Sequence, residues 1–491
     1  MAKKLAFHCN NKYCGSSTQF YTSTKCKDES NTPGPKVFEV NYKFVLGMRL
    51  IGRGLTAMNL VCGMLNMPQA MQQKCYESIL RRIEIASETV AQESMKNAAN
   101  ELKDGSSDVK DVKCMFDGTW QRRGFSSLVG AVPCLSTDSG KVIEKEVLRK
   151  HCKVCQTLQK LDITTEKFQR LRAEHNCQKN HTSSSAAMEI DGVRRVFGRS
   201  VKERGLRYTK YIGDGDSKTY ETIKNEKPYG DDTIIEKIEC VGHVQKRLGT
   251  ALRKLKTICG KQKLCDGKSI GGRGRLTKKE IDKLQVYYGL AIRRNVGNVD
   301  KMKEAIDAIL RHRISTDQLH NHTNCPKGSD SWCAFQRCQG KDYHHKNPLA
   351  KAVAVKIKPI FDRLSVRSLL LRCVHGFTQN AAESYNNVLW SLCPKGTFVG
   401  AVPINVCASL SVIIYNDGYG KLKLILDELG IDFGKYIRDA LQKKDDIRLY
   451  QSKRKACEEE KKIRKAQRKR RLEEEDRFVE QEGTIYEPGG F

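Results

Sequence analysis

The sequence predicts a mixed α/β protein: a five-stranded sheet with flanking helices, interrupted by a mostly helical insertion, with a helical N-terminal region and a charged C-terminal helix or tail. Three observations carry this reading. The 491 residues are 39% hydrophobic and 30% charged with only 11 prolines, which suits a helix-rich chain with real cores rather than a disordered basic one. Three consecutive strand-like segments are joined by turn-like tetrapeptides. Helix-like and strand-like segments then alternate, giving the order β-β-β-α-β-α-β-α of a mixed sheet rather than a purely parallel one.

Taken in order, residues 1–36 read as irregular, with Cys9, Cys14 and Cys26 among Ser, Thr, Asn and Gly. From 56 to about 102 the apolar spacing is helical, broken at Asn66-Met67-Pro68, and 76–102 reads as one long amphipathic helix. A polar break at 103–109 precedes strands at 112–120 (VKCMFDGTW), 125–137 (FSSLVGAVPCLST) and 141–148 (KVIEKEVL), with QRRG and DSGK as hairpin turns. A Cys/His-rich insert fills 151–181. Then follow a helix at 192–203, a strand at 206–214, a helix at 218–225, a strand-like 234–243 and a basic helix at 244–256. Residues 276–371 are mostly helical around a Cys/His-rich loop at 320–345; a helix at 381–391 and an apolar segment to Asn416 complete the pattern. The expected domains are 1–36, 37–110, a core at 111–275 carrying the insert, a helical insertion at 276–375, a second core part at 376–420 and a charged tail at 421–491.

Lys and Arg total 88 against 57 Asp and Glu, a net charge of +31. The natural partner is an acidic polymer, with nucleic acid ahead of a membrane surface. The longest apolar stretch, 401–415, is too short and too polar for a bilayer helix. MAKKLAFHCNNKYC at the start lacks the apolar core and cleavage site of a secretory signal. A soluble intracellular protein without a membrane partner is expected, and its 20 Cys point to metal ligation or buried thiols rather than a disulfide framework.

Four acids stand out, because strand ends are where open α/β sheets place ligands. Asp117 lies in MFDGTW of the first strand, Asp214 and Asp216 close the fourth in YIGDGDS, and Glu383 opens the helix in TQNAAESYNN. Three carboxylates from separate elements are a donor set for two Mg²⁺ or Mn²⁺ ions. Two such ions about 4 Å apart clamp the attacking and leaving oxygens of a phosphodiester. Each acid also has an ordinary role open to it. Asp117-Gly118 suits a turn, Asp216 suits a helix cap, and Glu383 suits a capping box begun at Asn380. Asp214 is therefore the expected metal ligand, with Asp216 as the alternate.

DGTWQRRGFSSL, YTKYIGDGDSKTYETI, ECVGHVQKRLGTALRKLK and HGFTQNAAESYNNVLW together resemble the Mutator-like transposase domain of animal genomes. FEVNYKFVLGMRLIGRG and CGMLNMP upstream, DSWCAFQR, and the ending EGTIYEPGGF extend the resemblance over residues 38–491. The resemblance implies a ribonuclease H-like fold with a helical insertion before the glutamate-bearing helix, and an acidic triad at Asp117, Asp214 and Glu383. It also matches Cys240 and His243 to a Cys-x-x-His signature close to DNA. Implied partners are double-stranded DNA, as element ends and target, and further copies of the chain.

Cys152-x-x-Cys155 with His175, Cys177 and His181 offers five candidates for four tetrahedral zinc positions. A looser set is His322-x-x-Cys325, Cys333 and Cys338, with Cys373-x-His375 just before the Glu383 helix. Zinc there would tie the insertion to the glutamate-bearing helix; buried free thiols are the other reading. Cys9, Cys14, Cys26 and His8 form a third set. The P-loop signature is absent, and no small-molecule substrate is expected. SIGGRGRL at 269–276 reads as a flexible basic loop near DNA. Of residues 453–471, 11 are Lys or Arg, a nuclear localisation signal or phosphate-binding arm unless it is a solvated helix. Three functions stand: an active transposase, a domesticated or inactive DNA-binding derivative, and a nuclease of the same fold.

Overall fold

The computed structural model describes residues 4–11, 13–26, 38–103, 105, 108–122, 126–213, 217–329, 331–340, 343–345, 347–396, 399–457, 459–461, 463–464, 466–467 and 470. Two units divide the chain: residues 1–44 with 417–491, and residues 45–416.

The first unit opens with an antiparallel hairpin, β1 (Lys4–His8) and β2 (Ser17–Tyr21), in which Lys4 faces Tyr21. This revises the expectation of an irregular segment at 1–36. The rings of Phe7 and Phe20 stack at 5.2 Å across the pair, the kind of cross-strand contact that holds a two-stranded ribbon together. Helix α1 (Glu39–Leu50) follows.

In the second unit, α2 (Leu55–Met64) and α3 (Gln73–Leu102) flank the break that contains Pro68. In α3, Ile79, Ile83, Ala86, Val90 and Ala98 recur at helical spacing and are buried, the stripe that holds a 30-residue helix to its neighbours. The sheet follows: β3 (Lys110–Phe116), β4 (Thr119–Trp120), β5 (Val129–Ser136) and β6 (Val142–Arg149). The insert contributes two short helices, α4 (Lys153–Leu158) and α5 (Glu166–Ala173). Then come α6 (Ala187–Arg204), β7 (Leu206–Gly213), α7 (Ser217–Glu226), β8 (Glu236–Glu239) and α8 (Val241–Cys259).

The sheet is mixed, as expected. Its order is β6-β5-β3-β7-β8, with β4 also paired to β5. β3 is antiparallel to β5, and β5 to β6; β7 is parallel to both β3 and β8. Six strands appear instead of five because the expected strand 112–120 breaks after Phe116. Gly118 sits at that break, where an added Cβ would lie 3.0 Å from the Glu189 side chain of α6. The strand expected at 234–243 also shortens, because Cys240 N-caps α8 and the chain is helical from Val241.

Every residue of β5 is buried, so both faces of the sheet are covered. In one core the ring of Phe116 meets Phe197 of α6 at 5.5 Å and Tyr211 of β7 at 5.4 Å. Such contacts add about 0.5–1.5 kcal/mol each beyond area burial, and they pin the residue that precedes Asp117.

A second core forms among α8, α9 (Lys278–Arg293), α10 (Val299–Arg313), α12 (Lys351–Leu364) and α13 (Arg367–Cys373); the four-residue α11 (Ala334–Arg337) lies in the loop before α12. Leu248, Leu284, Tyr288, Ile309, Ile357 and Phe361 meet there. Helices α14 (Asn380–Leu392) and α15 (Ala401–Asn416) return the chain to the sheet. Residues 404 and 406–414 of α15 are buried, as in a helix enclosed on nearly all sides. Its last residue, Asn416, bonds both the N–H and the C=O of Val142 at 2.9 Å.

The first unit resumes with a 3-10 turn (Tyr419–Leu422), α16 (Lys423–Glu428) and α17 (Lys435–Ala456). Asp445 of α17 accepts from the N–H groups of Tyr419 and Gly420 at 2.9 and 2.8 Å. Leu441 is the buried residue of α17, which is otherwise a solvated charged helix.

Candidate active site at the ends of the parallel strands

Met115 pairs with Ile212, and Gly213 with Glu239, so three parallel strands end side by side. The residues next in the chain are Asp117, Asp214 and Cys240. Asp214 and Asp216 lie outside the described residues. Gly213, which leads to them, has no room for a side chain: a Cβ there would run into the ring of Tyr211.

The described part of the site is organised by α14. Gln379, its N-cap, donates to the carbonyl of Phe116 at 2.7 Å. Asn386 donates to Asp117 Oδ2 at 2.9 Å, and the Trp390 indole donates to Thr119 Oγ1 at 2.8 Å. Positions 379, 383, 386 and 390 fall on one helical stripe. Glu383 therefore lies on the face that its neighbours press against the end of β3. Its side chain is 55% exposed, open to a bound polyanion or cation, and Lys246 of α8 stands 4.0 Å away.

The structure revises the setting of the Cys-x-x-His pair. Cys240 is the buried N-cap of α8 and His243 lies in the first turn of that helix, not on a strand end. Val241 N–H donates to the carbonyl of Phe377 at 3.0 Å, docking this helix start on the turn before α14. His243 precedes Lys246 by three residues, so the two share a helix face. Close by, Lys113 lies 5.8 Å from the centre of the Phe377 ring. Burial, and then the charges of Lys210 and Lys113, hold His375 below the ordinary histidine value. Lys113, Lys210 and Lys246 thus stand around this end of the sheet, cations that a phosphate-rich ligand could engage.

Cys152, Cys155, His175 and Cys177 bring four donor atoms within 4.8 Å of one another. His175 Nε2 is 3.7 Å from the Cys152 sulfur and 3.2 Å from that of Cys155, and the Cys155 and Cys177 sulfurs are 3.5 Å apart. A tetrahedral zinc needs N···S edges of about 3.6 Å and S···S edges of about 3.8 Å, so this set can hold the ion. The fifth candidate, His181, is elsewhere: its ring nitrogens face Asp191 Oδ2 and the Ser184 carbonyl, each at 3.0 Å.

The looser set is regrouped. His322, Cys325 and Cys333 come together with His312, which sequence reasoning missed. Cys373 is instead buried in the second apolar core, and His375 stacks on Phe377 at 5.5 Å. Cys338 turns its thiol toward the Phe335 carbonyl. One signal for His312 was available: it continues the buried stripe of Met302, Ile306 and Ile309 on α10.

These features define a basic α/β protein with an aspartate at the end of a parallel strand, a helix-borne glutamate on the face packed beside it, and Cys/His sets able to take zinc. The chain belongs to the Mutator-like transposase family, whose model matches residues 1–333. That match includes Asp117, Asp214, Cys240 and His243, and ends before Glu383. No curated protein and no solved structure matches the chain.

Proposed function

We propose that the chain is a DNA transposase that cuts at element ends and joins the freed 3′-hydroxyl to target DNA, with Asp117, Asp214 and Glu383 as its metal-holding acids. The observation that carries this is the clamp of α14 on β3, which sets Glu383 on the stripe between residues bonded to Phe116 and Asp117. The strand order β6-β5-β3-β7-β8, with three strands parallel at its end, supports a ribonuclease H-like reading. The donor set is hard oxygen and suits Mg²⁺ or Mn²⁺. When bound, two such ions supply charge neutralisation for the attacking and leaving oxygens. Asn386 orients the Asp117 carboxylate, Lys246 and His243 face the incoming phosphates, and the same acids serve hydrolysis and strand transfer because only the nucleophile changes.

The test compares wild type with Asp117→Asn and Glu383→Gln on labelled duplexes carrying the sequences that flank this gene. Either variant should abolish Mn²⁺- or Mg²⁺-dependent cleavage while keeping salt-sensitive binding. Equal loss of binding and cleavage would overturn the assignment. Tight binding without cutting by wild type would favour a domesticated DNA-binding derivative.

A further inference from the structure

The regrouped Cys/His set on the helical insertion has the geometry of a second, separate metal site. His312 lies in the last turn of α10, and the other three members lie in the loop that follows; all four are buried. The Nδ1 atoms of His312 and His322 are 3.1 Å apart. The Cys333 sulfur is 3.5 and 3.4 Å from them, and the Cys325 sulfur 3.7 and 3.8 Å. The edges of a tetrahedral S₂N₂ zinc site are about 3.3 Å for N···N and about 3.6 Å for N···S. Five measured edges follow that pattern.

Hydrogen-bond bookkeeping on the far side of His322 supplies an independent argument. Asp317 Oδ1 accepts from the backbone N–H of His345 at 2.8 Å and faces His345 Nδ1 at 2.7 Å. A carboxylate only accepts, so His345 in its neutral form carries its proton on Nδ1 and keeps a lone pair on Nε2. That lone pair lies 2.8 Å from His322 Nε2, which must then carry the proton. His322 Nδ1 is left as a lone pair aimed at the two sulfurs and at His312. A carboxylate–histidine relay behind a metal-binding histidine is a recurring way to set the ligating tautomer.

We infer that His312, His322, Cys325 and Cys333 bind one zinc ion, with Asp317 and His345 as positioning residues that hold His322 in its ligating form. His320, His322 and His345 also approach one another, but the 2.8 Å between the His322 and His345 Nε2 atoms is a hydrogen-bond length, shorter than a zinc-site edge. The ion explains how this loop keeps its shape. Between α10 and α12 the described residues contain only the four-residue α11, and loops longer than about 15 residues rarely hold one form without help. Trp332, next to a ligand, meets His312 at 4.8 Å and Tyr287 of α9 at 4.9 Å, so zinc staples the loop onto α9 and α10.

The test is zinc content and cobalt substitution of the full chain. A Cys152→Ser/Cys155→Ser variant, lacking the first Cys/His set, should retain one zinc per chain, and its cobalt form should show four-coordinate visible bands with thiolate charge transfer. Adding Cys325→Ser/Cys333→Ser should remove both signals. Asp317→Asn and His345→Gln should weaken zinc in chelator competition by about 10- to 100-fold, whereas His320→Ala should not. If the first double variant fails to fold, Cys325→Ser/Cys333→Ser in the otherwise intact chain should lose one zinc, and Asp317→Asn should still weaken it. Zinc content indifferent to Cys325 and Cys333, or affinity indifferent to both Asp317 and His345, would overturn the proposal.

Discussion

Asn386→Ala isolates the contact on which the proposed active site turns. Asn386 Nδ2 donates to Asp117 Oδ2 at 2.9 Å, a hydrogen bond to a charged acceptor with a net value of about 1.5–3 kcal/mol. Its own Oδ1 is buried without a hydrogen-bond partner among the described residues. Nδ2 also reaches the Asp117 carbonyl at 3.4 Å, so every group that truncation leaves belongs to Asp117, and the loss of fold stability should not exceed about 1.5–3 kcal/mol. If the contact matters most when Asp117 holds its cation in the transition state, the rate should fall about 10- to 150-fold, since each 1.36 kcal/mol is about tenfold.

The assay is metal-dependent DNA cleavage at several Mn²⁺ concentrations, with thermal melts and DNA-binding isotherms run alongside. A misaimed carboxylate should raise the Mn²⁺ needed for half-maximal cutting, a readout that a merely structural role would not move. Asn386→Asp tests the sign. A second carboxylate against Asp117 disfavours ionisation of both, so cleavage should shift to higher pH. Cleavage by Asn386→Ala within about twofold of wild type, with unchanged metal dependence and with Asp117→Asn inactive, would refute the positioning argument.

Two further outcomes concern the sheet's support. Arg204 and Glu144 are both buried and pair at 2.9 Å, so Arg204→Leu should cost about 3 kcal/mol in urea unfolding by leaving Glu144 with only Arg199 as a charged partner beside the Lys145 N–H. A loss below about 1 kcal/mol would show that the pair contributes no more than a surface one. Burial pushes the Glu88 carboxyl up, but the charge of Lys145 and hydrogen bonds from Lys145, Ser409 and Gln92 outweigh it and hold the group at about 2. A carboxyl lowered on folding contributes stability in full above its unfolded value of 4.5 and loses it as pH falls toward 2. The Tm gap between wild type and Glu88→Gln should accordingly be widest above about pH 5 and close in acid; a gap that widens on acidification would refute the assignment.

How much of this was legible in the sequence depended on how local the cause was. The long helix of residues 73–102 and the strands around 129–149 follow from periodicity, which is a property of neighbours in sequence. The break of the first strand does not. It depends on how closely α6 passes Gly118, a tertiary fact. The N-terminal hairpin was missed because its strands lack a buried face: all five residues of β2 are exposed, so no apolar alternation separates them from a loop.

The same division runs through the sites. Cys152 and Cys155 announce themselves by spacing, as do His322 and Cys325. His312 comes from a different element, so spacing alone assigned Cys373 and His375 in its place. The acids were visible because carboxylates near strand ends are conspicuous, whereas the groups that dock α14 beside Asp117 are two amides and an indole. Gln379, Asn386 and Trp390 share the helical stripe of Glu383, and that periodic set of polar tips on an otherwise core-facing helix was the available signal. An acid whose helix carries such tips at i−4, i+3 and i+7 is being docked against something polar. The polar partner here is the end of the strand that delivers Asp117, and on the proposed reading it is the amides of α14, more than the acids themselves, that would separate a metal-holding pair from two unrelated surface carboxylates.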